Sequence, residues 1–313
     1  MVKTIDEFRV VCPLKEFEYD KIIFRKKLGE GGNASVFKVS IDNEMYAGKV
    51  YNITKWCDRN GDIEKFYECL EYELKIAKKL ENTKYCVQTY GYSFTNDKMI
   101  VIMELLVSSG DLEAYLQDDK KWKTVNNKEK KDFVYYNKNE KLHWSFELPQ
   151  KQKIKIVCNL FKAIKELHSK EIVHGDIKSD NTMLYYGEKR QGIKLIDFGM
   201  SYFSEAKNNF EIECRCGTDG YCAPEQYRYR LGYSSDIYSI SVTAIEVWVG
   251  EIWKDGSDFD DCRDEVIEAL EKVKKVNSSF GDLLERCLSL EMEKRPTAKQ
   301  LLDAFYKIKF QSS

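Results

Sequence analysis

Apolar and polar residues alternate in the first hundred positions as they do in short β-strands. Residues 36–41 alternate with period two, and an Asp-Asn turn signal separates them from a second such run at residues 44–51. This arrangement predicts an antiparallel hairpin. Residues 99–103 form a short apolar run that indicates a buried strand, whereas the three- and four-residue apolar spacing over residues 63–80 predicts a helix.

The helical period dominates the rest of the chain. Residues 154–167 carry one apolar stripe, and the predicted helix begins near Pro149, a favoured first-turn residue. Residues 237–249 are apolar on nearly all faces, which predicts a helix buried inside a lobe. Further helices are predicted to begin near Leu283 and to span residues 298–308. A small, mostly β part followed by a larger helical part predicts an α+β fold with two lobes.

Size and composition narrow the possible function classes. The chain has 313 residues and a formal net charge of −2, so no overall basic field favours nucleic acid. We expect no membrane span, because no apolar run is long enough, and no secretory signal at the start. The ten cysteines are scattered, which predicts reduced thiols and a cytoplasmic location, with a nuclear one left open. A redox switch at Cys214, Cys216 and Cys222 is the alternative for that cluster.

Two short segments carry the strongest chemical signal. One reads His-Gly-Asp-Ile-Lys-Ser-Asp-Asn from residue 174, and the other reads Asp-Phe-Gly about twenty residues later. Phosphoryl transfer requires a positioned hydroxyl, magnesium on the phosphates and neutralisation of developing charge. Asp176 suits the base that accepts the hydroxyl proton, and Lys178 suits the neutralising cation. Asn181 and Asp197 offer oxygen ligands for Mg²⁺.

These segments resemble the catalytic loop His-Arg-Asp-x-Lys-x-x-Asn and the magnesium-binding Asp-Phe-Gly of eukaryotic-type protein kinases. The position of Lys178 resembles the serine/threonine branch. The resemblance implies the two-lobed protein-kinase fold, with a mostly antiparallel β N-lobe and a mostly α-helical C-lobe. It also implies use of ATP and Mg²⁺ and a protein substrate. We expect an N-terminal extension over residues 1–20 and a kinase domain over 21–311, with lobes of about 21–104 and 107–311.

The resemblance extends to the nucleotide side. Residues 28–36 are similar to the kinase glycine-rich loop, although Ala34 stands at its third glycine. Tyr-Ala-Gly-Lys, ending at Lys49, is similar to the strand motif whose lysine binds the α- and β-phosphates. Its carboxylate partner is expected to be Glu73, with Glu71 as the alternative, because Glu73 lies on the apolar side of its helix. The residues that the resemblance assigns to the nucleotide are Leu28, Gly29, Gly31, Val36, Ala47, Lys49, Glu73, Met103, Glu104, Leu106, Asp111 and Met183.

The acceptor side carries a third motif. Gly-Thr-Asp-Gly-Tyr-Cys-Ala-Pro-Glu, residues 217–225, resembles the end of a kinase activation segment, which forms a peptide-binding shelf. Small-molecule phosphotransferases that share the fold lack this shelf, and they remain an alternative, as does a catalytically weak kinase-like scaffold. By resemblance, Thr218 braces Asp176 and Lys178, Arg295 pairs with Glu225, and Asp236 supports the catalytic-loop backbone.

Two features depart from the family pattern. Gly175 stands where most kinases have the arginine that binds an activation-segment phosphate, so we predict activity without phosphorylation there. Arg215 and Lys194 are the cations that could replace it. Residues 118–147 form an insertion in which lysines and aromatic residues are interleaved with acidic residues. It is predicted to be a family-specific loop or a docking element for a protein partner.

Overall fold

The computed structural model describes residues 4–106, 108–111, 149–186, 191–204, 209–213, 215–250, 252–253 and 259–310. The 118–147 insertion lies outside these residues. The chain divides into two compact units, Met1–Leu106 and Val107–Ser313. In the described ranges, no helix is both long and apolar enough to cross a bilayer.

The first unit is built on a six-stranded sheet in the order β1-β5-β6-β4-β3-β2. All its neighbours pair antiparallel except β1, which runs parallel to β5. Asp42 and Asn43 join β3 to β4 with φ angles of 50° and 68°, as expected for a two-residue hairpin turn. The strands are β1 (Lys15–Glu16), β2 (Ile23–Glu30), β3 (Ala34–Ile41), β4 (Glu44–Asn52), β5 (Thr89–Phe94) and β6 (Lys98–Glu104).

Three helices cover this sheet: α1 (Ile5–Val11), α2 (Ile53–Asn60) and α3 (Ile63–Lys79). Asp62 caps α3, since its side chain accepts a hydrogen bond from the Lys65 N–H. Phe8 of α1 is fully buried and contacts the rings of Tyr92 and Phe94 at centroid distances of 5.3 and 5.4 Å. The N-terminal extension therefore packs as part of the first unit.

The second unit is mainly helical. In its described residues, the helices are α4 (Gln150–Ser169), α5 (Tyr233–Val249), α6 (Phe259–Val276), α7 (Ser278–Cys287) and α8 (Ala298–Phe305). Short 3-10 helices lie at Tyr19–Lys21 in the first unit and at Gln226–Arg228 and Met292–Lys294 in the second. The α5 helix is buried from Ser235 to Trp248 and ends at Gly250, whose φ of 90° suits glycine.

Short strands hold the loops of the second unit. The pairs are β10-β9-β7, β11-β8 and β12-β13, all antiparallel. Their bounds are β7 (Ser108–Asp111), β8 (Ile172–Val173), β9 (Thr182–Tyr186), β10 (Gln191–Leu195), β11 (Tyr202–Phe203), β12 (Phe210–Glu211) and β13 (Arg230–Leu231).

Two predicted helix boundaries were wrong. Leu283 lies in the middle of α7, because Asn277 caps the helix earlier by accepting a hydrogen bond from the Phe280 N–H. The last helix ends at Phe305, three residues before the predicted end. The predicted start of α4 near Pro149 is confirmed, because Pro149 is the N-cap and the helix begins at Gln150.

Candidate active site

The glycine-rich loop connects β2 and β3 in the first unit. The Gly31 N–H donates to the Ala34 carbonyl at 2.8 Å and closes a tight turn. Ala34 already belongs to β3, so a β-carbon fits at this position. A methyl group added to Gly29 or Gly32 would meet no atom of the described residues within 4 Å. This loop thus presents backbone with open space beside it, which suits an approaching phosphate.

Lys49 lies on β4, and its Nζ is 3.0 Å from Glu73 Oε1 on α3. The other carboxylate oxygen, Oε2, accepts a hydrogen bond from the Tyr51 hydroxyl at 2.8 Å. Lys49 and Glu73 side chains are 13% and 16% exposed, so water screens this pair less than a surface pair. Glu71 instead pairs with Lys75 one turn along α3.

The remaining expected nucleotide residues of the first unit lie on adjacent strands. Ala47 of β4 is paired with Met103 of β6. The Glu104 N–H donates to the Gln88 carbonyl at 2.8 Å. Leu28 and Val36, on β2 and β3 beside the glycine-rich loop, are half-buried, as is Leu106. In the second unit, Asp111 of β7 is paired with Met183 of β9.

Asp236, at the start of α5, holds the catalytic-loop backbone. Its Oδ2 accepts from the His174 N–H at 2.8 Å and lies 3.0 Å from His168 Nε2. Its Oδ1 accepts from the Gly175 N–H at 3.0 Å. Asp236 is 1% exposed, so these donors satisfy a buried carboxylate. His174 Nδ1 accepts from the Asp176 N–H, which fixes the next residue along the loop.

Asp176 is held by three side chains. The Thr218 hydroxyl donates to Asp176 Oδ1 at 2.7 Å and accepts from Lys178 Nζ at 2.7 Å. The Asn181 amide donates to Asp176 Oδ2 and to the Asp176 carbonyl, both at 2.8 Å. Lys178 Nζ lies 3.6 Å from Asp176 Oδ2. The carboxylate is thereby oriented, while a cation lies beside it.

Asn181 and Asp197 have the chemistry of magnesium ligands. Within the described residues, the side-chain hydrogen bonds of Asn181 use its amide nitrogen, so its carbonyl oxygen is left for another contact. Asp197 is exposed and has a φ of 60°, a conformation uncommon outside glycine and frequent at functional sites. No group of three or more His, Cys, Asp or Glu in the described ranges could hold a metal ion. Two oxygen ligands nevertheless fit Mg²⁺, which usually keeps waters and substrate phosphates.

The C-terminal end of residues 217–225 is fixed by a buried ion pair. Arg295 binds Glu225 in a bidentate manner, with Nη1–Oε1 at 2.6 Å and Nη2–Oε2 at 2.9 Å. The Ser235 hydroxyl also donates to Glu225 Oε1, and Arg295 donates to the Ser234 and Ser289 carbonyls. Additional bonds of this kind are what a buried pair requires to be stable.

The serines that could be phosphorylated and the cations that could bind a phosphate are already hydrogen-bonded, ion-paired or buried. Ser201 Oγ donates to the His174 carbonyl, and Ser204 is hydrogen-bonded to Tyr233. Arg215 pairs with Asp219 and stacks on the Tyr227 ring, while Lys194 is a buried residue of β10.

Cys216 and Cys222 are 3% and 2% exposed, and Cys214 lies outside the described residues. Burial raises the pKa of the Cys222 thiol to about 12. A thiol with such a pKa is protonated and unreactive at neutral pH.

Sequence reasoning missed three residues that contact the expected nucleotide side or the catalytic loop. Tyr51 lies two residues after Lys49 on β4, so strand periodicity would have placed both on one face. Arg59 of α2 donates to the Gly32 carbonyl in the glycine-rich loop. Gln226 bridges the catalytic loop and the activation segment, and no sequence motif marks it.

The sequence matches the family model "Protein kinase domain" over residues 22–306. "Probable serine/threonine-protein kinase kinX" of Dictyostelium discoideum is 28% identical over 93% of this chain and 24% of its own length. "Serine/threonine-protein kinase atg1" of the same organism is 26% identical over 87% and 37%. "Protein kinase C-like 1" of Caenorhabditis elegans is 25% identical over 92% and 36%. The chain thus spans about a quarter to two fifths of the length of these relatives.

The kinase-type motifs, the two-unit architecture and the family match across most of the sequence agree. The chain belongs to the protein kinase family.

Proposed function

We propose that this chain transfers the γ-phosphate of Mg-ATP to serine or threonine hydroxyls of proteins. The observation that carries this proposal is the hydrogen-bonded set of Asp176, Lys178, Asn181 and Thr218. A carboxylate held in one orientation beside a cation is the arrangement that positions a hydroxyl and neutralises a moving phosphoryl group.

Each catalytic residue has a defined role in this proposal. Asp176 accepts the proton of the substrate hydroxyl as its oxygen bonds to the γ-phosphorus and the bond to the leaving ADP oxygen breaks. Lys178 offsets the negative charge that develops on the transferred group. Lys49, oriented by Glu73, binds the α- and β-phosphates. Because its partner holds it from one side, the Lys49 ammonium loses little further freedom on binding.

The nucleotide contacts stay a proposal based on family resemblance and supported by local geometry. Gly29 and Gly31 belong to a loop with open space beside its backbone, which suits phosphates. The apolar contacts to adenine are assigned to Leu28, Val36, Ala47, Met103 and Met183, its backbone partners to Glu104 and Leu106, and the ribose contact to Asp111. Mg²⁺, held by Asn181 and Asp197, would neutralise phosphate charge when bound.

A protein substrate is favoured over a small molecule by the shelf segment. Residues 217–225 end in Glu225, and the Arg295 pair anchors this end firmly in the second unit. The names of two relatives specify serine/threonine kinases, which supports the same substrate class. Residues 118–147 remain the proposed docking element for a protein partner.

We also propose that activity does not require phosphorylation between Asp197 and Glu225. Gly175 offers no charge to a phosphate. The hydroxyls of Ser201 and Ser204 are buried and already hydrogen-bonded, so a kinase would have to open the segment to reach them. Treatment with a phosphatase should leave at least about half of the activity, and abolition of activity would contradict this part of the proposal.

Domain limits and location are proposals as well. We retain residues 21–311 as the kinase domain, with lobes of about 21–104 and 107–311, and note that residues 4–17 pack with the first lobe. The nine described cysteines are free thiols, which is typical of a reducing compartment and supports a cytoplasmic location.

The experiment that tests the proposed function offers labelled ATP and Mg²⁺ to two panels of acceptors, one of peptides and one of amino-alcohol metabolites. We expect label on serine or threonine of at least some peptides. Label on metabolites alone would establish a small-molecule phosphotransferase. A folded chain that binds ATP and transfers no phosphate to either panel would establish the scaffold alternative.

A further inference from the structure

Gly175 could not carry a larger side chain in the conformation that the catalytic loop adopts. Its φ is +81°, and a β-carbon added there would lie 2.4 Å from the Met200 carbonyl oxygen. Real β-carbons are essentially never found so close to another atom. An arginine at this position would therefore need a different backbone conformation. Something other than an ion pair must join this loop to the activation segment.

A buried glutamine makes one such connection. The side-chain amide of Gln226 donates to the Gly175 carbonyl at 3.0 Å and to the Cys216 carbonyl at 3.2 Å. Its Oε1 accepts from the Ala223 N–H at 2.9 Å. The residue is 1% exposed, and its three backbone partners belong to the catalytic loop, the activation segment and the shelf. Few side chains other than an amide could satisfy two acceptors and one donor at once.

Gly217 provides the space that this arrangement requires. A β-carbon there would lie 2.8 Å from Gln226 Nε2 and 3.0 Å from the Gly175 carbonyl oxygen. Gly217 has a φ of +95°, which also favours glycine. Two glycines and one glutamine therefore form a complementary set. Gly175 lacks the positive charge that most kinases have at this position, and Gly217 leaves space for the Gln226 side-chain amide.

A separate apolar contact holds the preceding part of the segment. Phe210 of β12 pairs with Leu231 of β13, and the Ile212 N–H donates to the Tyr229 carbonyl at 2.9 Å. Ile212, Cys216 and Leu231 pack with Val173 in one buried cluster. These contacts of Phe210, Ile212 and Cys216 involve no charged group.

We propose that Gln226 is a positioning residue that holds the shelf and the catalytic loop in register through uncharged hydrogen bonds, in place of an ion pair with phosphate. This inference rests on the proposed function. In this proposal, Gln226 orders the activation segment, which phosphorylation would otherwise do. Because these hydrogen bonds need no added phosphate, they are present as soon as the chain folds.

The test compares two variants with the wild type in steady-state peptide phosphorylation. Gln226→Met keeps the approximate volume but removes both amide donors and the acceptor. Gln226→Glu keeps an acceptor for the Ala223 N–H, but it directs a carboxylate at the Gly175 and Cys216 carbonyls. Asn277→Ala is the matched control, because it removes another side-chain amide that bonds backbone, at the cap of α7. Folding of every variant is measured by urea unfolding.

We expect Gln226→Met to lower kcat/KM for peptide by about tenfold to a hundredfold, with KM for ATP within about twofold of the wild type. Gln226→Glu gives a second signature. Protonation restores one O–H donor, and burial raises carboxyl pKa values, so its activity relative to the wild type should rise as pH falls from about 8 to about 6. The same ratio for Gln226→Met should not change with pH. Asn277→Ala should lose stability and leave both KM values unchanged.

The outcomes separate the inference from the function on which it rests. A wild type that phosphorylates peptides, with Gln226→Met equally active, would overturn the inference alone. If Gln226→Met raises KM for ATP by as large a factor as it lowers kcat/KM for peptide, the glutamine has a merely structural role. If that variant does not fold, a pH-independent ratio for Gln226→Glu would overturn the inference. A wild type that transfers phosphate to no peptide would overturn the proposed function, and the positioning role with it.

Discussion

The Thr218 hydroxyl donates to Asp176 Oδ1 at 2.7 Å, and the same oxygen accepts from Lys178 Nζ at 2.7 Å. One hydroxyl on the shelf segment thus orients two groups of the catalytic loop. Because a threonine hydroxyl has one proton and two lone pairs, it can serve both contacts at once. Shelf and loop are therefore coupled through the proposed base itself.

Removing this hydroxyl should reduce catalysis while the fold survives. Thr218→Val keeps the shape of the side chain but leaves Asp176 and Lys178 without their common partner. We expect kcat to fall about tenfold to a hundredfold, since a small misplacement of a catalytic group has an effect of that size. Thr218→Ser retains the hydroxyl and should stay within about tenfold of the wild type. Equal kcat values for Thr218→Val and the wild type would show that the bridge has no role.

The Lys49–Glu73 ion pair can be tested with a control residue, Glu71, on the same helix. Glu73→Gln removes the charge that holds Lys49, so we expect kcat/KM for ATP to fall by about tenfold or more. Glu71→Gln removes the neighbouring carboxylate, which pairs with Lys75 instead. That change should stay within about twofold, because Glu71 pairs with Lys75 and not with Lys49. A larger effect for Glu71→Gln than for Glu73→Gln would reverse the assignment.

Adjacent residues allow a comparison of buried and exposed ion pairs. Arg295→Met leaves Glu225 buried without its partner, which should lower the free energy of unfolding by about 3–5 kcal/mol. Lys294→Met breaks an exposed pair with Glu291 and should change it by less than about 1 kcal/mol. Urea unfolding of both variants measures the difference. Similar values for the two would mean that water reaches the Arg295 pair.

Thiol reactivity tests the burial of the segment cysteines. Since burial raises the pKa of Cys222 to about 12, the thiolate is scarce at neutral pH and becomes abundant only above that value. In the native protein at pH 8, iodoacetamide should modify Cys222 about a hundredfold more slowly than the exposed Cys69. Peptide mass spectrometry measures both rates. Comparable rates would restore the redox switch as an explanation of the cysteine cluster.

The sequence predicted the elements whose signal is local. Strand alternation and the Asp42-Asn43 turn identified the β3–β4 hairpin, and the apolar spacing identified α3 and α4. The start of α7 was missed because its cap, Asn277, precedes the apolar residues that marked the helix. The α1 helix was not predicted at all, although Thr4 caps it, because a seven-residue helix shows little periodicity.

The site divides in the same way. Asp176, Asn181 and Asp197 belong to motifs of fixed spacing, so their types and order were readable from the sequence. Gln226 was not, since two of its three backbone partners lie 10 and 51 residues away along the chain and meet it only after folding. A lone glutamine has no pattern that distinguishes it from a solvated one. The choice between Glu71 and Glu73 needed the direction of each side chain on α3, which apolar periodicity gave only indirectly.

The central claim is that Asp176 is the base for phosphate transfer to a protein hydroxyl. The most direct test takes a peptide that the wild type phosphorylates. It measures kcat for that phosphorylation with the wild type, Asp176→Asn and Asp180→Asn. Asp180 is an exposed residue of the same loop and serves as the matched control. We predict a loss of about 10²- to 10⁴-fold in Asp176→Asn and a change of less than about threefold in Asp180→Asn. A kcat for Asp176→Asn close to that of the wild type would contradict the account.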